Sequence, residues 1–152
     1  MILDAQNRFS NAQPVFSNGS SVRSTDVIDL QAIRDVGAGE IIYLLVQVTT
    51  AFTGGTSANF ELITGSNEAV DADVSVVVDT NPIPVASLAA NTRFFVPIPE
   101  HKLPRGQRYA AVRTTCVGNV TAGSITAAVT RNPDSAYFKL PRYPANQPFA
   151  VV

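Results

Sequence analysis

Apolar and polar residues alternate along much of this chain, and the alternation is clearest between residues 91 and 131. There Phe94, Val96 and Ile98 fall on one face of an extended segment, and Ile125, Ala127 and Val129 fall on another. A period of two marks a strand, whose successive side chains point to opposite sides. The same reading predicts strands at Val22–Leu30, Asn59–Thr64, Val74–Val78, Val85–Leu88, Asn91–Pro99, Arg108–Val117 and Ser124–Arg131. Ile41–Thr50 begins as an almost unbroken apolar run, as expected for a strand covered on both faces. Turn chemistry separates these runs: Gly54-Gly55, the polar stretch Gly65–Asp71, Ile83 between Pro82 and Pro84, and Gly118–Gly123. No segment has the three-to-four spacing of an amphipathic helix. About eight short strands with Gly/Pro breaks predict an all-β sandwich or barrel. We favour an eight-stranded jelly-roll-like β-sandwich with extended N- and C-terminal arms. The immunoglobulin alternative loses its Cys-Trp-Cys hallmark, because the chain has one Cys and no Trp.

The two ends read differently from the middle. A single β-sandwich domain spans residues 1–152, with 1–21 as an N-terminal arm and loop, 22–131 as the sandwich core, and 132–152 as a Pro-rich C-terminal arm. The first arm is short enough to dock as an edge strand. In the second, Pro133, Pro141, Pro144 and Pro148 forbid a helix or a central strand. Yet Tyr137, Phe138, Tyr143 and Phe149 make it too aromatic for a solvated tail. It reads as an extended arm that docks on its own domain or on a neighbour.

Composition narrows the function classes. At 152 residues, the chain can bury a core without staples. With 45% apolar and 15% charged residues it is too apolar to be disordered and poorly charged for a lone monomer. The net charge of −1 gives no nucleic-acid footprint. Ten of the twelve acids lie in residues 1–92 and eight of the eleven bases in 93–152, so copies could pair head to tail; sheets that interleave distant strands would blur this. Nine of the bases are Arg, which interfaces favour over Lys. The start has no signal-peptide pattern, and Ile41–Val46 is too short to cross a bilayer as a helix. A product folded in a cytoplasm, with no membrane partner, is expected.

Candidate chemistry is sparse. Cys116, the single cysteine, sits in an apolar run and reads as a small buried hydrophobe. His101, the single histidine, lies in a polar loop beside Glu100 with no nucleophile marked next to it. Asp71, Asp73 and Asp79 lack the spacing and the glycine of a calcium loop. The glycine pairs match neither a Walker A loop nor a dinucleotide fingerprint. Lys102, Arg105 and Arg108 form a basic loop that could touch phosphate, serve as a solvated hairpin connection, or meet an acidic patch on a protein. Neither a catalytic site, a metal site nor a cofactor is expected.

Several segments, in order over about four-fifths of the chain, carry a family resemblance: MILDAQNRFS, STDVIDL, GEIIYLLVQVTTAF, RFFVPIP and above all RYAAVRTTCVGNVTAGSITAAV. Their wording resembles the capsid cement (decoration) proteins of tailed bacteriophages, in the family with a jelly-roll fold. The Pro-rich end from Pro133 lies outside the match. The resemblance implies a small homo-oligomer, a homodimer ahead of a trimer, on the outer face of an icosahedral head. It would be made in the bacterial host cytoplasm and join the virion on the capsid exterior. Its partners would be the major capsid protein and itself.

The expectation is therefore a non-enzymatic structural protein that cements neighbouring capsid subunits against internal DNA pressure. A modest contact per copy suffices when a shell repeats the seam many times. Aromatic and Arg anchors place the capsid or oligomer interface at Arg8, Phe9, Tyr137, Phe138, Arg142, Tyr143 and Phe149, with Lys102 and Arg105 from the basic loop. The rival is a carbohydrate-binding module of a phage fibre or lectin type. Jelly rolls host both roles, but sugar sites favour exposed aromatic platforms, often Trp.

Overall fold

The computed structural model describes residues 5–30, 41–99 and 107–131. Eleven strands run through them: β1 (Arg8–Pro14), β2 (Ser17–Asn18), β3 (Ser21–Arg23), β4 (Ile28–Asp29), β5 (Ile42–Gly54), β6 (Ser57–Gly65), β7 (Ser75–Asp79), β8 (Ile83–Pro84), β9 (Arg93–Ile98), β10 (Tyr109–Val117) and β11 (Asn119–Arg131). One sheet has the order β1-β11-β5-β9, and the other β3-β10-β6-β7. The short β2, β4 and β8 attach to β11, β10 and β6. Counting β3 and β4 as one strand position and leaving out β2 and β8 gives eight positions. The first pairs with the eighth, the second with the seventh, the third with the sixth and the fourth with the fifth, all antiparallel. That nested pairing over two sheets is the jelly-roll arrangement expected from the sequence.

Residues 8–14 form β1, an edge strand of the first sheet. Two local expectations need correction. Val85–Ser87 is a turn of 3-10 helix rather than a strand, because it follows Pro84 and closes with Leu88 N–H donating to Val85 O. The last strand begins at Asn119, so only Gly118, with φ 82°, makes the turn expected over 118–123.

The strand expected over 22–30 is split, and a serine mends the split. Between β3 and β4, Ser24 N–H donates to Val112 O at 2.7 Å, and Ser24 Oγ accepts from Val112 N–H at 3.0 Å. A second serine does similar work at the irregular β1–β11 register. Ser10 is fully buried; its Oγ accepts from Ala127 N–H at 3.1 Å and donates to Ile125 O at 3.3 Å. Buried backbone groups need such partners when a ladder slips.

The core lies between the sheets. Leu44, Val46, Val48, Phe52, Ile125 and Ala127 from one sheet meet Phe60, Leu62, Val77, Val112 and Cys116 from the other. Phe94, Val96 and Val129 pack against them, as their alternation predicts. Phe60 stands edge-on to Phe52, with centroids 6.1 Å apart and planes at 80°. Gly123 makes room for this: at φ +155°, a Cβ would lie 2.8 Å from Phe52 Cγ. Cys116 is a buried free thiol whose pKa burial pushes up, consistent with an inert packing role.

Phe60→Ala is expected to cost about 3–5 kcal/mol by truncating the central aromatic contact. Ser10→Ala should cost about 1–3 kcal/mol by orphaning a buried amide, despite its small change in volume. Urea unfolding of each variant measures both; a Ser10→Ala loss below a few tenths would show that the amide finds another partner.

Candidate interaction surface

The jelly roll has two unlike ends. At one, the turns are tight: Gly54-Gly55 joins β5 to β6, and Gly118 joins β10 to β11. Gly54 is required there, since at φ +72° a Cβ would lie 2.4 Å from Asn119 O. Phe16 and Val117 are exposed near this end, at 62% and 55%. At the other end β1 begins, β11 stops, and the connections β4–β5, β6–β7 and β9–β10 all leave the sandwich. The basic loop with Lys102 and Arg105 belongs to the last of these.

The bases of these connections are clamped together. Arg108, just before β10, donates to Asp29 of β4 through two bonds, Nε to Oδ1 at 2.9 Å and Nη2 to Oδ2 at 2.6 Å. This bidentate fork is the geometry Arg makes best. The Asp29 bond is also the main reason the pKa of Arg108 is raised further. The backbone follows: Leu30 N–H donates to Arg108 O, and Arg108 N–H donates to Gly65 O. The guanidinium also lies 5.1 Å from the centroid of the Tyr109 ring.

Gln107 fastens the third connection. Its Oε1 accepts from Thr64, and its Nε2 donates to Asp73 O and to Ser75 Oγ. The β6–β7 loop is shaped by Asn67, whose Oδ1 accepts from the N–H groups of Asp71 and Ala72 and whose Nδ2 donates to Asp71 Oδ1. The loop folds Val70, at φ 49°, back onto Ile63 and Ala111 on the outer face of the second sheet. Farther along that face, Glu61 accepts from Arg113 Nε at 2.6 Å and from Thr115 Oγ1 at 3.2 Å. These polar side chains are held by bonds to one another.

The sequence-based anchors fare unevenly. Phe9 is fully buried in the core, so its side chain offers nothing to a partner, contrary to expectation. The cause is register: it points inward from β1. Arg8, one residue earlier, is half-buried and belongs to the opposite side of that strand. Arg108 is tied to Asp29 and is not a free phosphate ligand. Lys102, Arg105, Tyr137, Phe138, Arg142, Tyr143 and Phe149 lie outside the described residues. The clamp residues Asp29 and Gln107 escaped sequence reasoning. They lie 79 and 43 positions from Arg108 and Thr64, their respective partners, and no local pattern links such pairs. Among the described residues no group of three or more His, Cys, Asp or Glu side chains could hold a metal.

Arg108→Ala should leave the sandwich folded but loosen this end. Amide hydrogen exchange at Leu30 and Tyr109 is expected to accelerate while Leu62 and Val112 stay protected. Unchanged exchange at Leu30 would mean that the backbone bonds hold the loops without the ion pair.

No curated protein matches the chain. Among solved structures, it is similar to a chain in "Structure of infectious bursal disease virus Gx strain", at 12% identity and a TM-score of 0.43. That similarity covers 80% of this chain and 30% of the length of the other. A family match covers residues 9–129, from the second residue of β1 to near the end of β11, and so takes in the whole nested set of strands. The chain belongs to the Bbp16 family.

Proposed function

We propose that this protein is a non-enzymatic structural component of a virion, which binds the outer surface of an icosahedral phage head and cements neighbouring major capsid subunits. The clamped end of the jelly roll carries this reading. Three connections, the start of β1 and the end of β11 adjoin that end, and Asp29, Gln107 and Arg108 tie the feet of all three connections to a rigid double sheet. A cement needs this mechanical division. Strands bear load without deforming, while segments anchored at one end reach across a seam.

Other features support the reading. The ordered sequence resemblance to capsid cement proteins runs through the same strands that the family match covers. The polar side chains on the open face of the second sheet mostly bond one another, which suits a docking surface better than a reaction centre. The net charge of −1 suits adhesion to a shell rather than to nucleic acid. Self-association, as a dimer ahead of a trimer, would place equivalent clamped ends around a symmetry axis. The sugar-binding alternative gains little, since among the described residues Phe16 is the one exposed aromatic.

Purified protein mixed with isolated phage heads should co-sediment with them and raise their melting temperature. Arg108→Ala, which keeps the sandwich but frees the loop feet, should bind heads more weakly. No binding to heads by the native chain under any salt condition tested would sink the proposal.

A further inference from the structure

The tight-turn end of the jelly roll carries no charge. The chain visits it four times, in residues 14–21, 54–57, 80–92 and 117–119. These visits lie within residues 9–22, 41–60, 80–92 and 114–130, none of which holds an Asp, Glu, Lys or Arg. Charge begins at mid-height. Arg23, Arg113, Glu61 and Asp79 stand in one row across the second sheet, and Arg93 stands opposite Gln47, near the middle of β5. Among the described residues, every other charged one lies on the clamped side of that level. The exposed residues of the turn-side half are Gly, Ala, Ser, Thr, Asn and Pro, with Phe16 and Val117. A surface that stays in water is about a quarter to a third charged, whereas the core of a protein interface is depleted of charge.

This end can also lose water at small cost. Thr56 N–H donates to Val117 O at 2.7 Å, Val85 N–H to Thr56 O at 3.0 Å and Gly19 N–H to Gly118 O at 3.1 Å. The hydroxyls of Thr53 and Thr121 share a bond of 3.1 Å. Covering polar groups that are already paired costs little. Glycine at 54, 55 and 118 leaves the turns without side chains, so another backbone can come close.

We propose that this charge-free end is a self-association surface, and that its occupant is the same end of a second copy related by a two-fold axis. The charge pattern selects this contact among those two copies can make. Turn end against clamped end would cover charged groups with a surface that has none, removing their water without giving them partners. Turn end against turn end buries no charge and sets no like charges together. A patch that meets itself is the closed, isologous arrangement. Phe16 and Val117 supply apolar area, at 62% and 55% exposure. The β7 edge is a poorer candidate, since a register shift and Asp79 interrupt it. The inference rests on the cementing reading and deepens it by naming the surface for self-association. It leaves the two clamped ends on opposite sides of the axis, each available to a different capsid subunit.

The test uses the full chain without heads, so it can fail separately from that reading. Sedimentation velocity of the native chain should show a concentration-dependent dimer. Val117→Asp and Val117→Lys, at a site whose side chain lies outside the core, should keep the β circular dichroism. Each should weaken the dimer on the order of tenfold or more, by setting like charges across the axis. An equal mixture of the two variants should recover the dimer, because opposite charges then meet, and the recovery should fade in high salt. Phe16→Ser should weaken it at every salt concentration. A native chain that stays monomeric, a trimer, or a dimer that both charged variants leave intact would overturn the proposal. Charged variants that bind heads less well while their dimer persists would overturn it in favour of the capsid protein as the occupant of this end.

Discussion

The structure depends on one strand, β11, being held between β1 and β5. It pairs with the first strand and with the long mid-chain strand β5 at once: Ala128 stands opposite Arg8 on one side and Leu45 on the other. The Ser10 hydroxyl bridges 115 to 117 positions of sequence to reach it. Closing so long a loop costs entropy that no single pair repays. The pairings are nested, so each inner pair shortens the effective loop for the next. The sandwich therefore forms as a cooperative whole, with folding slowed by its non-local contacts. Once closed, the same nesting leaves few ways to deform it.

Nesting also decides where everything else goes. Every second connection emerges at the same end, so the β4–β5, β6–β7 and β9–β10 connections share that end with the start of β1 and the end of β11. The opposite end keeps tight glycine turns. The two outer faces diverge as well. One carries Glu61, Arg113, Thr115, Asn59 and Asp79 in a bonded polar array, and the other hides Leu45 and Ala128. The domain therefore has two unlike faces and two unlike ends, one of them clamped by Arg108 and Asp29.

Much of the strand content was legible because alternation is a local signal. Phe94, Val96 and Ile98 face the core as their spacing requires, and so do Ile125 and Ala127. The errors arose where local signals are ambiguous. Val85–Leu88 is short and apolar, and it follows a proline; such a run suits a strand or a helical turn equally. Gly118–Gly123 holds two glycines, and only tertiary packing shows that Gly118 turns the chain while Gly123 sits within β11 to clear Phe52. Phe9 looked like an anchor because aromatics anchor interfaces, but they fill cores too, and a single residue gives no register.

The sequence by itself determined the fold class, the lack of a spaced catalytic or metal motif, and the buried role of Cys116. Each rests on composition or on a period of two, which neighbouring residues suffice to define. Only the tertiary structure decided that Asp29 and Gln107 clamp the loop feet, that Ser10 and Ser24 mend slipped ladders, and that Phe9 is core. These depend on which distant residues become neighbours. That is fixed by the nesting of strands and their register, a property of the whole closed sandwich.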